Sequence, residues 1–189
     1  MKKRILLAPS LLCGIAVTLF AQQPVAPPSG SAGDGPSLEV TMSFIQDKLN
    51  ELGRVAFAES LRAGGGGYTI HAVYEYSNVI ADASQCRISY HQKRWANGML
   101  APEDDHSFSL RDVQEVVVRP YEQGANEDHA KSGPPWVSTV TPAVTRLEVR
   151  RPHGSRNDFV FADSNLADRL AKALTHAVEL CGGGNKDPF

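Results

Sequence analysis

In segment after segment between Val55 and Phe161 the apolar residues return at every second position, and on either side of that stretch they return at every third or fourth. A period of two belongs to a strand with one buried face, and a period of three to four to a helix with one apolar stripe. A chain that opens and closes with a helix around a run of short strands has few folds open to it. Strands joined by tight turns pair antiparallel, and each helix must bury its stripe against the sheet they form. The expected class is α+β: an N-terminal helix, an antiparallel and strongly bent sheet, and a C-terminal capping helix.

The first helix is read from "SLEVTMSFIQDKLNELG". Ser37 is its cap and Glu39 lies in the positive first turn. Leu38, Met42, Ile45, Leu49 and Leu52 form the stripe, and Gly53 ends it. Val55, Phe57 and Leu61 mark a first strand, with a turn at the four glycines 64–67. Those glycines are followed by neither Lys-Ser nor Lys-Thr, so they are not read as a phosphate-cradling loop. Tyr68, Ile70, Ala72, Tyr74 and Tyr76 alternate with Thr69, His71, Val73 and Glu75 until "IADASQ", and "CRISYHQKRW" places Cys86, Ile88 and Tyr90 on one face before the turn at Asn97-Gly98.

A bent strand or strand pair is expected over "HSFSLRDVQEVVVRP", ending at Pro120. Residues 121–143 carry no apolar period and are read as a long loop, with Trp136 braced by two prolines. Thr145, Leu147 and Val149 then alternate with Arg146, Glu148 and Arg150, followed by a polar turn at 152–158 and a short strand at "FVF". Asp163 or Ser164 caps the last helix, whose stripe is Leu166, Leu170, Leu174, Ala177 and Cys181, with Gly182 as the left-handed closing residue.

The N-terminus bears on the compartment. Lys2, Lys3 and Arg4 precede an apolar run over 5–20, and Ala21 offers a small residue for cleavage, so 1–21 reads as a signal peptide. Residues 22–36, rich in Pro and Gly, read as a disordered linker; 37–184 is a single globular domain and 185–189 a flexible tail. Removing the leader leaves 16 of the 19 basic residues against 21 acidic ones. A protein that tracks phosphates carries the opposite bias, so a nucleic-acid partner is not expected, nor is a membrane span after cleavage.

With Cys13 in the leader, two cysteines remain, Cys86 on the buried face of a strand and Cys181 in the stripe of the last helix. Even parity, export and two inward positions predict a disulfide between them.

From about Tyr68 to Cys181 the order of elements resembles a pleckstrin-homology-like roll, carried by "FSLRDVQEVVV", "RLEVRRP", "FVF" and the terminal helix. The alternative is one helix on a single curved antiparallel sheet, as in cystatin-like domains. "SLEVTMSFIQDKLN", "CRISYH" and "AVELCGGG" resemble segments of a family of exported bacterial proteins of unknown function, which implies no particular activity.

The chain has no G-x-S-x-G, H-E-x-x-H or C-x-x-C pattern, so no catalytic residue and no cofactor are assigned. "EDDH" at 103–106 and "NEDH" at 126–129 offer carboxylate and imidazole donors, but their spacing matches no closed metal site. Trp136 is a candidate partner anchor, and Arg146, Arg150 and Arg151 a candidate basic face. The functional expectation is a periplasmic or secreted, non-enzymatic binding or interaction module of the cell envelope, acting on an unidentified protein or envelope component. A small metal-dependent hydrolase and a lipid or small-ligand carrier stand as alternatives.

Overall fold

The computed structural model describes residues 35–132 and 136–184. The expected leader, nearly all of the expected linker and the expected tail lie outside the described residues.

Helix α1 (Leu38–Glu51) starts at Ser37, whose side chain accepts from the Val40 N–H, and it buries Met42, Ile45 and Leu49. Strands β1 (Arg54–Ala63), β2 (Gly66–Asp82), β3 (Arg87–Ala96), β4 (Met99–Leu100) and β5 (Asp104–Ser109) follow. After β6 (Glu115–Pro120) come helix α2 (Tyr121–Ser132), β7 (Val137–Thr141), β8 (Thr145–Arg150), β9 (Arg156–Phe161) and helix α3 (Ser164–Leu180).

The strands form two antiparallel sheets. One runs β4-β3-β2-β1-β7, with β5 also paired to β3; the other runs β6-β8-β9. The sheets keep free edges and do not close into a barrel. The α+β class is therefore as expected, and the strands divide between two sheets and do not form the single curved sheet of the alternative.

Both terminal helices bury their stripes on one side of this framework. Ile45 and Leu49 of α1 and Leu170, Leu174 and Ala177 of α3 share a core with Ile88, Phe108, Leu147, Phe159 and Phe161. A smaller core joins Val55, Phe57, Ala72, Val144 and Val160. A fully buried side chain of this size contributes about 1.5–3 kcal/mol, so the two helical stripes are a principal stabilising force.

Helix α3 closes as "CGGG" implies, and with more than Gly182. Gly182 N–H donates to Glu179 O and Gly183 N–H to Val178 O, the paired bonds of a Schellman cap. Gly184 N–H then reaches Val113 O at 2.8 Å. A Cβ on Gly183 would collide with the Leu110 carbonyl, so the helix end docks backbone to backbone. Cys181 is thereby brought to Cys86, with 5.9 Å between Cα atoms and in disulfide geometry. Cys86 lies in the turn before β3 at a φ of 52°, not within the strand itself.

Three stretches differ from the sequence reading. Strand β2 runs on through Ile80–Asp82, because a register shift between Ser77 and Ile80 absorbs Asn78 and Val79, and Asn50 of α1 holds both the N–H and the carbonyl of Val79 at 3.0 Å. Strand β9 begins at Arg156, inside the expected polar turn. Most consequential, residues 121–132 and 137–141 of the expected loop form α2 and β7.

Candidate functional site

Helix α2, "YEQGANEDHAKS", packs only Tyr121, against Phe57, and Ala125 into the interior, and the rest of its docking is through polar contacts. Strand β7 ends its sheet, and an open edge exposes unpaired N–H and C=O groups. Helix α2 fills that edge. Asn126 Oδ1 accepts from Ser138 N–H at 2.6 Å, Asn126 Nδ2 donates to Ser138 O at 3.2 Å, and Glu122 accepts from Val140 N–H at 3.1 Å. Three side-chain hydrogen bonds stand where a further strand would pair.

The other face of α2 lies over the second sheet. Glu148 on β8 is fully buried, at 0% exposure, and receives Arg119 from β6, Arg146 from its own strand, and Arg150. Burial pushes the Glu148 carboxyl up, but the guanidinium groups of Arg119, Arg150 and Arg146 outweigh it and hold it below its ordinary value. Asp128 of α2 accepts from Arg146 at 3.1 Å and from both terminal nitrogens of Arg156 at 3.0 and 2.6 Å. Chiefly through Arg156, its pKa falls to about 2. Gly124 sits directly on the Arg146 guanidinium, where a Cβ would have no room.

Of the three arginines expected to form a basic face, Arg146 is buried away from it. Arg146 is 4% exposed and locked among acids, not on the wet side of a strand. Arg150 is paired with Glu148 and Glu115. Arg151 borders a cleft of about 730 Å³ whose lining sets five basic residues, Arg119, Lys131, Arg150, Arg151 and Arg156, against three acidic ones, Glu115, Glu127 and Glu148. Trp136 is half-buried, edge-on to Tyr68 with ring centroids 5.7 Å apart, and is not among the residues lining the pocket described next.

Beneath α2, between the two sheets, lies a polar pocket of about 360 Å³. Its wall is built by strand alternation: Tyr90, Gln92 and Arg94 stand on one face of β3, joined by Glu59 of β1, Tyr74 of β2 and His106 of β5. Helix α2 contributes Tyr121, Asp128 and His129; β8 contributes Arg146; β9 contributes Arg156, Asn157 and Asp158. The Tyr90 and His106 rings stack with centroids 5.0 Å apart.

Some polar groups in the wall are satisfied. Asn157 Nδ2 donates to Tyr90 Oη at 2.9 Å, Ser138 Oγ donates to Glu59 at 2.7 Å, and His129 Nε2 lies 3.4 Å from the same Glu59 oxygen. Others have no hydrogen-bond partner among the described residues: Asn157 Oδ1, Asp158 Oδ1, His106 Nε2 and Arg146 Nε. Asn157 is only 6% exposed. Burial drives the Asp158 carboxyl above its ordinary value despite Arg156 and Arg146 nearby. Buried polar atoms are nearly always paired, so four unpaired ones on the residues of a single pocket lining are a local excess of unmet hydrogen-bonding capacity.

Among the described residues no group of three or more His, Cys, Asp or Glu side chains is arranged to hold a metal ion. The two acidic-histidine motifs lie at β5 and on α2 and meet only in part: His106, Asp128 and His129 share the pocket lining, while Glu103 and Asp105 take the two ring nitrogens of His91 at 3.1 and 2.9 Å. No described helix is long and apolar enough to cross a membrane. The pocket residues Glu59, Tyr121, Asn157 and Asp158 were not singled out from sequence. Glu59, a charge at an inward position of the alternating strand Val55, Phe57, Leu61, was the one local signal available.

Comparison of the chain with protein families, with curated proteins and with solved structures gives no match.

Proposed function

We propose that this chain is an exported binding module of the cell envelope and that its polar pocket under α2 receives a small ligand. The observation that carries the reading is the set of unpaired polar atoms on Asn157, Asp158, His106 and Arg146 around one cavity. Export is supported by the leader-like N-terminus together with Cys86 and Cys181 placed for a disulfide, a bond that persists in oxidising compartments.

The larger cleft beside Arg119 and Arg150 is a weaker candidate, because of its lining only Arg151 Nε is among the buried atoms without a partner. Size alone does not make a site; unmet hydrogen-bonding capacity in a concave pocket does.

Two measurements test the reading. N-terminal sequencing of protein from the envelope fraction finds the chain starting after Ala21; intact chain in the cytosol overturns export. Thermal unfolding of the purified protein against a library of small polar metabolites finds compounds that raise the midpoint, and His106→Ala removes the rise. A library that shifts nothing, or shifts the variant equally, overturns the pocket.

A further inference from the structure

From the balance of charges and unmet hydrogen bonds in the pocket under α2, we infer that its ligand is a neutral, polyhydroxylated molecule of the sugar class. The inference rests on the reading of that pocket as a ligand site.

Charge decides against ions. Three carboxyl groups, Glu59, Asp128 and Asp158, face three guanidinium groups, Arg94, Arg146 and Arg156, in one lining. They are largely committed to each other: Asp128 to Arg146 and Arg156, and Asp158 Oδ2 to Arg156 at 3.0 Å. Among the described residues Glu59 has no guanidinium partner and Arg94 no carboxylate partner, one charge of each sign, so the lining as a whole is balanced. An anion would meet carboxylates and a cation guanidiniums, and either would lose its hydration on entry.

The unmet capacity is of both kinds. Asn157 Oδ1 and Asp158 Oδ1 accept, Arg146 Nε donates, and His106 Nε2 does either according to its tautomer. A hydroxyl group donates one hydrogen bond and accepts two, so a ring carrying several hydroxyls matches a wall that mixes donors and acceptors closely. Tyr90 is buried between the His106 and Phe159 rings, so of the stacked pair it is the half-buried His106 ring that has a face to offer the apolar C–H side of a pyranose. At about 360 Å³ the cavity is at the small end of ligand pockets, which span roughly 300–1,000 Å³. It suits one or two sugar rings and not a lipid chain.

The test is calorimetric titration of the full folded protein with N-acetylglucosamine and glucose as neutral sugars, L-alanine as a zwitterion and inorganic phosphate as an anion. A neutral sugar binds saturably, and Asn157→Ala and His106→Ala each weaken it about tenfold, the loss expected for one buried hydrogen bond. His106 lies outside the ion-pair network, so His106→Ala keeps the test valid should Asn157→Ala fail to fold. Binding of L-alanine or phosphate but not sugar, lost in the same variants, overturns the sugar class and leaves the pocket. Sugar binding that both variants retain in full overturns the assignment to this site. No heat with any probe, while some library compound still stabilises the protein through His106, overturns the class alone; no binding of any compound overturns both readings.

Discussion

The side-chain amide of Asn126 forms two hydrogen bonds with the main chain of Ser138, accepting from its N–H at 2.6 Å and donating to its carbonyl at 3.2 Å. A helical side chain thus imitates the neighbouring strand that β7 lacks. Ser138 is buried, so these groups have no water to fall back on. Asn126→Ala is expected to cost about 1–3 kcal/mol, the penalty for leaving buried donors and acceptors unmet. It also uncovers a strand edge, so the variant should self-associate as concentration rises. Urea unfolding with light scattering measures both; a variant of unchanged stability that stays monomeric contradicts the latch.

Gly124 and Arg146 allow a test with an unusual sign. Alanine in a helix interior normally stabilises relative to glycine by about 1 kcal/mol. At Gly124 the added Cβ meets the Arg146 guanidinium, which Asp128 and Glu148 hold in place. Gly124→Ala should therefore destabilise, by about 1–3 kcal/mol as overpacking does. A gain in stability measured by chemical unfolding would show that Arg146 moves aside freely.

Cys86 and Cys181 tie a turn of the first sheet to the end of α3, across 95 residues of sequence. Closing a loop of that length is worth about 4–5 kcal/mol in the chain-entropy model. Unfolding the oxidised protein and a Cys86→Ser, Cys181→Ser double variant side by side should show a loss of that order. Two titratable thiols in unreduced, denatured wild-type protein would remove the bond from the account.

Acid should loosen α2 early. Asp128 is held at a pKa of about 2 first by its bond to Arg156, and Glu148 is also held below its ordinary value. A depressed carboxyl lends stability that is present above its unfolded pKa and lost as pH falls through its folded one. For Asp128 that window runs from about 4 down to about 2. Stability measured by urea unfolding from pH 5 to pH 2 should fall across the window, and Asp128→Asn should be weaker at pH 7 with a shallower decline. Parallel curves for the two proteins would contradict the role given to Asp128.

Much of the frame is written locally. The stripe from Leu38 to Leu52, the alternation through Tyr74, Tyr76, Ile88 and Tyr90, and the stripe from Leu166 to Cys181 each report a backbone repeat that meets one apolar surface. The same periodicity points Cys181 inward, toward the Cys86 with which it pairs.

What the period could not carry is the region around α2. Its helix has no apolar stripe; it is held by Asn126, Glu122 and Asp128 reaching residues 12, 18 and 28 positions away, and composition does not encode such partners. Arg146, Glu148 and Arg150 look like the wet side of a strand because alternation shows only that two faces differ. Whether a polar face meets water or a second layer depends on what packs over it, and here α2 covers it, enclosing the ion pairs and the pocket. Local periodicity comes from bonds between near neighbours, whereas the site arises from long-range polar contacts that exist only once both sheets and α2 are assembled.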